Sequence, residues 1–209
     1  MQNIINAIAE YVQNMALLEF VGLIFGLLCV YFLIKESVLT FAFGIAYVIV
    51  SFFVFWQIQL YGDFILHIFF LVLNVYGWYY WINGKKEDEE ELPITLTAAK
   101  PALFLAGFTF LGVIIFGLFL EHINFFFQGI APSSLPYWDS TTSILSVTGM
   151  WLTARKRIDN WYYWLIVDVL ATAIYAYKGI YFYSALYLLY IGMAVAGYKT
   201  WKKSMEAQV

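Results

Sequence analysis

The sequence predicts an all-α integral membrane protein of seven transmembrane helices in a 3+1+3 arrangement of parallel repeats. Three observations predict it. Hydrophobic residues make up 63% of the 209 residues and charged residues only 12%, more apolar surface than a soluble domain needs. Apolar runs near the roughly 20 residues that cross a hydrocarbon core recur along the chain. When the chain is threaded seven times, ten of its eleven Lys and Arg residues fall on one side, the bias that orients membrane proteins.

Taken in order, residues 1–15 form an outer N-terminal segment. They carry polar residues throughout and lack a basic leader region, so no cleaved signal peptide is expected. Spans at 16–34, 38–57 and 61–82 make a first triplet, 16–82. Residues 83–100 are a charged cytoplasmic linker with Gly84, Pro93 and the acidic run Glu87 to Glu91. A linking helix, 101–120, opens on Pro101, and an outer loop, 121–137, contains Pro132 and Pro136. Spans at 138–154, 161–177 and 180–200 complete a second triplet, 138–201, before the tail 202–209. The inner side then holds Lys35, Lys85, Lys86, Lys100, Arg155, Lys156, Arg157, Lys199, Lys202 and Lys203, and the outer side only Lys178. This places the N-terminus outside and the C-terminus in the cytoplasm.

The triplets align at a constant offset of 120 residues without a gap. Tyr61 meets Tyr181, Gly77 meets Gly197, Trp81 meets Trp201, and the tight turn at Lys35 meets Arg155. Both triplets start on the same side, so the repeats are parallel, and the linking helix restores direction. Repeats of this kind occur in transporters, with the site near mid-membrane between them.

Polar residues inside hydrocarbon are expensive and face an interior or a cavity. On the third span Asp63, His67, Phe70, Asn74, Trp78 and Trp81 lie within about 80° of one face at 100° per residue. The sixth span repeats this with Trp161, Trp164, Asp168, Thr172 and Tyr175, and the fifth with Asp139, Thr142, Ser146, Met150 and Thr153. Thr40, Gly44, Tyr47 and Ser51 make a weaker stripe on the second. Trp78, Trp81 and Trp161 also fit an interfacial aromatic belt, and Ser51, Thr142, Ser146 and Thr172 fit interhelical hydrogen bonding.

Asp168 is the most pointed residue, about 10 Å along the sixth span from Trp161. No Lys or Arg lies at its depth. It either pairs with His67 or forms a cation site in which its carboxylate meets a positive organic ring and Trp164 offers a π face. Asn74 can both donate and accept. No phosphate-cradling glycine loop, nucleophile motif or paired metal-ligand His is present, so neither an enzyme nor a metal or cofactor site is expected. No basic patch suits nucleic acid. The lone Cys29 reads as packing.

The stretches Gln57-Ile-Gln-Leu-Tyr61, Asn74-Val-Tyr-Gly-Trp-Tyr-Tyr-Trp81, Trp138-Asp139 and Arg155-Lys-Arg-Ile-Asp-Asn-Trp-Tyr-Tyr-Trp164 resemble the PnuC family of vitamin transporters, and the resemblance runs on through Asp168 and Lys178-Gly-Ile-Tyr181. It implies a fold similar to SWEET facilitators, a bacterial inner-membrane location and a homotrimer. It also implies facilitated diffusion of a vitamin that a separate cytoplasmic kinase then phosphorylates. Members typically carry nicotinamide riboside, and PnuT relatives carry thiamine. By position Asn74, Trp161, Trp164 and Asp168 are the implied substrate contacts, with His67, Trp78, Met150 and Thr172 completing the candidate set. His67 and Met150 stand where the resemblance leads to Gln, which leaves thiamine as the alternative substrate. Titratable Asp168 and His67 leave proton coupling as the alternative mechanism.

Overall fold

The computed structural model describes residues 2–57, 61–85, 91–127 and 133–208. Among them the backbone forms nine helices and no strand. They are α1 (Gln2–Asn14), α2 (Leu17–Ile34), α3 (Leu39–Gln57), α4 (Tyr61–Asn83), α5 (Ala99–Glu121), α6 (Ile123–Phe126), α7 (Pro136–Ala154), α8 (Asn160–Tyr177) and α9 (Tyr181–Ala207). The seven expected spans correspond to α2 through α5 and α7 through α9, with ends displaced by a few residues apart from the extension of α9 to Ala207. By length and composition α2, α3 up to Trp56, α5 and α9 are apolar enough to cross a membrane. The remaining long helices, α4, α7 and α8, are those that carry the strongest polar stripes. The short helices α1 and α6 were not expected.

Helix packing closes a ring. α2 packs on α3, α3 on α4, α4 on α7, α7 on α8, α8 on α9, and α9 back on α2. α5 lies outside the ring against α7, and α1 against α9.

Positions 120 residues apart in α2–α4 and α7–α9 share local chemistry. α2 ends with Glu36 N–H donating to Leu33 and Ser37 N–H to Phe32, at 3.0 Å each. α7 ends with Lys156 N–H donating to Thr153 and Arg157 N–H to Leu152, at 2.9 Å each. Both are the paired bonds that terminate a helix through one left-handed residue. That residue is not glycine in either case: Glu36 has φ 57° and Lys156 φ 52°. Gly179, φ 73°, closes α8 in the same way.

The ring is then pinned by an exchange. Trp81 Nε1 on α4 donates to the Thr153 carbonyl on α7 at 3.1 Å, and Trp201 Nε1 on α9 donates to the Leu33 carbonyl on α2 at 2.9 Å. Each donor and each acceptor is 120 residues from its counterpart. Gly77 abuts Phe41 and Gly197 abuts Trp161, a third pair at the same offset.

These contacts gather at the basic end of the bundle. Leu33, Phe41, Trp81, Met150, Ile158, Trp161, Ala194 and Trp201 form one buried cluster there with Leu92 and Ile94. The last two belong to the charged linker, so residues 91–98 are more than a tether. Thr95 N–H donates to Lys156 and its carbonyl accepts from Ile158 N–H at 3.0 Å. Arg157 reaches Thr95 Oγ1 at 2.6 Å, and Thr97 N–H donates to Asp159 at 3.1 Å. The segment is strapped across the α7–α8 turn.

Candidate functional site

The predicted site residues fall into a middle layer and the basic-end cluster. In the middle, Asp168 is 6% exposed, halfway along α8. Among the described residues Lys156–Glu36, Lys156–Glu91, Lys178–Asp139 and Lys202–Glu206 form ion pairs, and none of these involves Asp168. Tyr187 and Tyr190 on α9 lie within electrostatic range of its carboxylate, and Tyr47 on α3 lies within range of both tyrosines. The Tyr47 ring is 5.7 Å from the His67 ring, which also meets Phe55 at 4.7 Å and Phe70 at 5.3 Å.

Asn74 is 4% exposed. Its amide donates to the Phe70 carbonyl at 2.8 Å, leaving buried Oδ1 without a donor. Gly44 creates its space. A Cβ on residue 44 would stand 3.0 Å from Asn74 Cγ and closer still to Oδ1. Thr172 uses its hydroxyl on its own helix, donating to the Asp168 carbonyl at 2.7 Å.

Trp164 is half-buried. Its Nε1 donates to Thr153 Oγ1 at 3.1 Å, and Gly149 passes beneath the ring. Trp161 belongs to the basic-end cluster at 2% exposure, edge-on to Trp201 at 5.6 Å, with its own Nε1 unpartnered. Met150, at 9%, packs in the same cluster. Trp78 is 37% exposed. On α4, His67, Asn74 and Trp81 are buried while Trp78 is turned farther out. The side chain of Asp63 lies outside the described residues. Asp139, expected on the lined face of its span, pairs instead with Lys178 at 3.9 Å and accepts from Ser133.

Sequence reasoning missed Tyr187 and Tyr190, which read as ordinary aromatic spacing on the last span. It also missed the role of Gly44 as the seat of Asn74 and that of Thr153 as an acceptor. Lys156, expected only as one of the basic residues of an inner loop, is 2% exposed. Its Nζ lies 5.0 Å over the Trp81 ring, 4.0 Å from Glu36 and 3.9 Å from Glu91. Burial draws its ammonium below the ordinary value, and the two carboxylates pull the other way. Two surface hollows, about 340 Å³ beside α1 and about 520 Å³ between α5, α7 and α8, take in none of the predicted site residues.

The geometry describes an unpaired carboxylate, an unsatisfied amide oxygen and π faces inside a helical ring. Comparison with known proteins gives a consistent picture. A family model described as nicotinamide mononucleotide transporter matches residues 16–203. The nicotinamide riboside transporter PnuC of Escherichia coli is 30% identical over 208 residues, covering 91% of this chain and 87% of that protein. The nicotinamide riboside transporter PnuC of Neisseria mucosa is 23% identical over 199 residues, covering 89% and 72%. Among solved structures, the crystal structure of the vitamin B3 transporter PnuC matches the fold with a TM-score of 0.73 at 21% identity, covering 99% of this chain and 89% of that one.

Proposed function

This chain belongs to the nicotinamide mononucleotide transporter family, and from that premise we propose that it is a multi-pass membrane carrier for uptake of nicotinamide riboside, the substrate named for its relatives. The observation that carries the reading is Asp168, a buried carboxylate outside every ion pair of the described residues. Such a group is costly unless it holds a proton or meets a counter-charge. A flat pyridinium cation supplies it, and the neighbouring tyrosines and Trp164 add π faces. The unpartnered Asn74 Oδ1 is an acceptor suited to a carboxamide N–H.

In this reading seven helices cross the bacterial inner membrane as parallel triplets around α5, with the basic end in the cytoplasm. The Trp–carbonyl exchange at a 120-residue offset supports the repeat. The dense cluster and the strap at the basic end support a conformation shut on that side. Rocking of one triplet against the other opens each end in turn. Transport is facilitated diffusion by a homotrimer, and a cytoplasmic kinase that phosphorylates the vitamin sets the net direction. A second substrate, thiamine, is favoured by His67 and Met150 standing where the resemblance leads to Gln.

The test is a calorimetric titration of purified protein with nicotinamide riboside, thiamine and riboflavin. Nicotinamide riboside is expected to bind tightest, and Asp168→Asn to weaken it sharply. Preferential binding of thiamine would replace the substrate, and unchanged affinity in Asp168→Asn would remove the site. Uptake into vesicles without a kinase is expected to ignore a pH gradient; a response to it would replace facilitated diffusion with proton coupling.

A further inference from the structure

We infer that Thr153 is a positioning residue that ties the substrate site to the closed end of the bundle, its hydroxyl aiming Trp164 while its carbonyl holds Trp81. The inference rests on the reading of Trp164 as a substrate contact.

Thr153 is 2% exposed, one residue before the end of α7. An indole has a single N–H, which donates only, so the acceptor it finds sets the direction of the ring. For Trp164 that acceptor is Thr153 Oγ1 at 3.1 Å. Gly149, one helical turn earlier, lies beside the ring: a Cβ there would meet Trp164 Cε2 at 3.4 Å and Cδ2 at 3.6 Å, ordinary contact distances. The ring is thus tethered at its edge by the Thr153 hydroxyl. The main chain of Thr153 faces the other way and accepts from Trp81 Nε1 at 3.1 Å. Trp81 in turn packs edge-on to Phe41 at 5.0 Å and lies beneath the buried ammonium of Lys156.

The repeat separates the two roles. The residue 120 positions earlier is Leu33, whose carbonyl holds Trp201 in the equivalent bond at 2.9 Å. Leucine has no hydroxyl, so the structural tie works without one. The hydroxyl is present only in the half that carries Trp164, whose own counterpart is Gly44. A reorientation of Trp164 when substrate enters either breaks the hydroxyl bond or draws the end of α7, and with it the Trp81 tie.

The experiment is a double-variant cycle on the full chain, read as the Kd of nicotinamide riboside. Thr153→Val keeps shape and carbonyl, and Trp164→Phe removes the N–H. Thr153→Val is expected to weaken binding roughly three- to tenfold, the range for one hydrogen bond. Thr153→Ser should bind within about twofold of the parent, and Thr153→Val should add nothing on the Trp164→Phe background. An undiminished loss on that background, or no loss in Thr153→Val while Trp164→Phe weakens binding, overturns the positioning role alone. Unchanged affinity in Trp164→Ala and Asp168→Asn together would instead remove the site reading. If Thr153→Val is not recovered as folded protein, Thr153→Ala takes its place in the same cycle.

Discussion

Gly197→Ala should destabilise the protein through one identifiable collision. A Cβ on residue 197 would stand 2.6 Å from Trp161 Cζ3, with two further ring carbons nearer. Carbon atoms settle at roughly 3.5–4.0 Å, so the indole must retreat by about 1 Å or more. It has nowhere to go. Trp161 is 2% exposed and its other edge meets Trp201, itself fully buried and bonded to Leu33. Overpacking a filled core of this kind costs about 1–3 kcal/mol, or roughly 2–12 °C of melting temperature for a chain of this length. Gly192 supplies the control, because it lies on the same helix and a Cβ there meets nothing within 4 Å. Replacing that glycine should stabilise α9 slightly through helix propensity, by up to about 1 kcal/mol. The difference between the two variants isolates the collision. The assay is thermal unfolding of purified protein in detergent. Gly197→Ala melting with Gly192→Ala would refute the packing argument. Gly77→Ala provides the repeat test, since its Cβ meets Phe41 Cζ at 2.7 Å and the Ala154 main chain at 3.1 Å.

Asp168→Asn should weaken nicotinamide riboside binding by roughly 10–100-fold, the scale of a lost charged contact, with melting of the substrate-free protein unchanged or raised; calorimetry and thermal unfolding check both. Lys156→Ala should lower stability by roughly 3 kcal/mol, the low end for a broken buried pair, because Glu36 keeps some solvent at 15% exposure. Glu91→Gln should change it by less than about 1 kcal/mol, since Glu91 is 80% exposed. The lowered Lys156 ammonium means the unfolded chain binds more protons just below pH 10.5, so stability should rise with pH through that window. Melting curves across it should lose that slope in Lys156→Met.

Helix positions were legible because a hydrocarbon core demands long apolar runs, and breaks such as Lys35 to Ser37 stand out against them. The offset of 120 residues was legible as well, in the pairing of Gly77 with Gly197 and Trp81 with Trp201. What their pairing does was not legible, because each tryptophan bonds across to the other half of the chain. α1 was hidden by its length and mixed polarity; its contact with α9 and the bond from Tyr11 to Glu19 on α2 hold it. The strap was hidden by charge. Leu92 and Ile94 alternate with Glu91, Pro93 and Thr95, a period-two signal too short to outweigh the acidic run before it. Within the site, Asp168 and Asn74 could be singled out because burying them is costly. Tyr187 and Tyr190 could not, because a tyrosine in a membrane helix has many ordinary uses.

Repeat and site obey opposite demands. A carrier that rocks between two conformations needs them close in energy, since a ligand shifts the balance only by its differential affinity. In the rocking mechanism proposed above, equivalent contacts in both halves would serve that need, and the frame has such contacts: matched left-handed turns at Glu36 and Lys156, matched indole–carbonyl bonds, and matched glycines beneath Phe41 and Trp161. The Glu36–Lys156 pair even joins two counterpart positions to each other across the basic end. An asymmetric ligand demands the reverse. Asp168 has Val48 as its counterpart, Trp164 has Gly44, and Asn74 has Ala194. Each polar or bulky group in one half thus has an apolar or smaller counterpart in the other. Gly44 admits Asn74 because it is not a tryptophan, and the residue that replaced it 120 positions later is the indole that Thr153 holds. Equivalent contacts are kept at the basic end of the bundle and are given up at the depth of Asp168, Asn74 and Trp164.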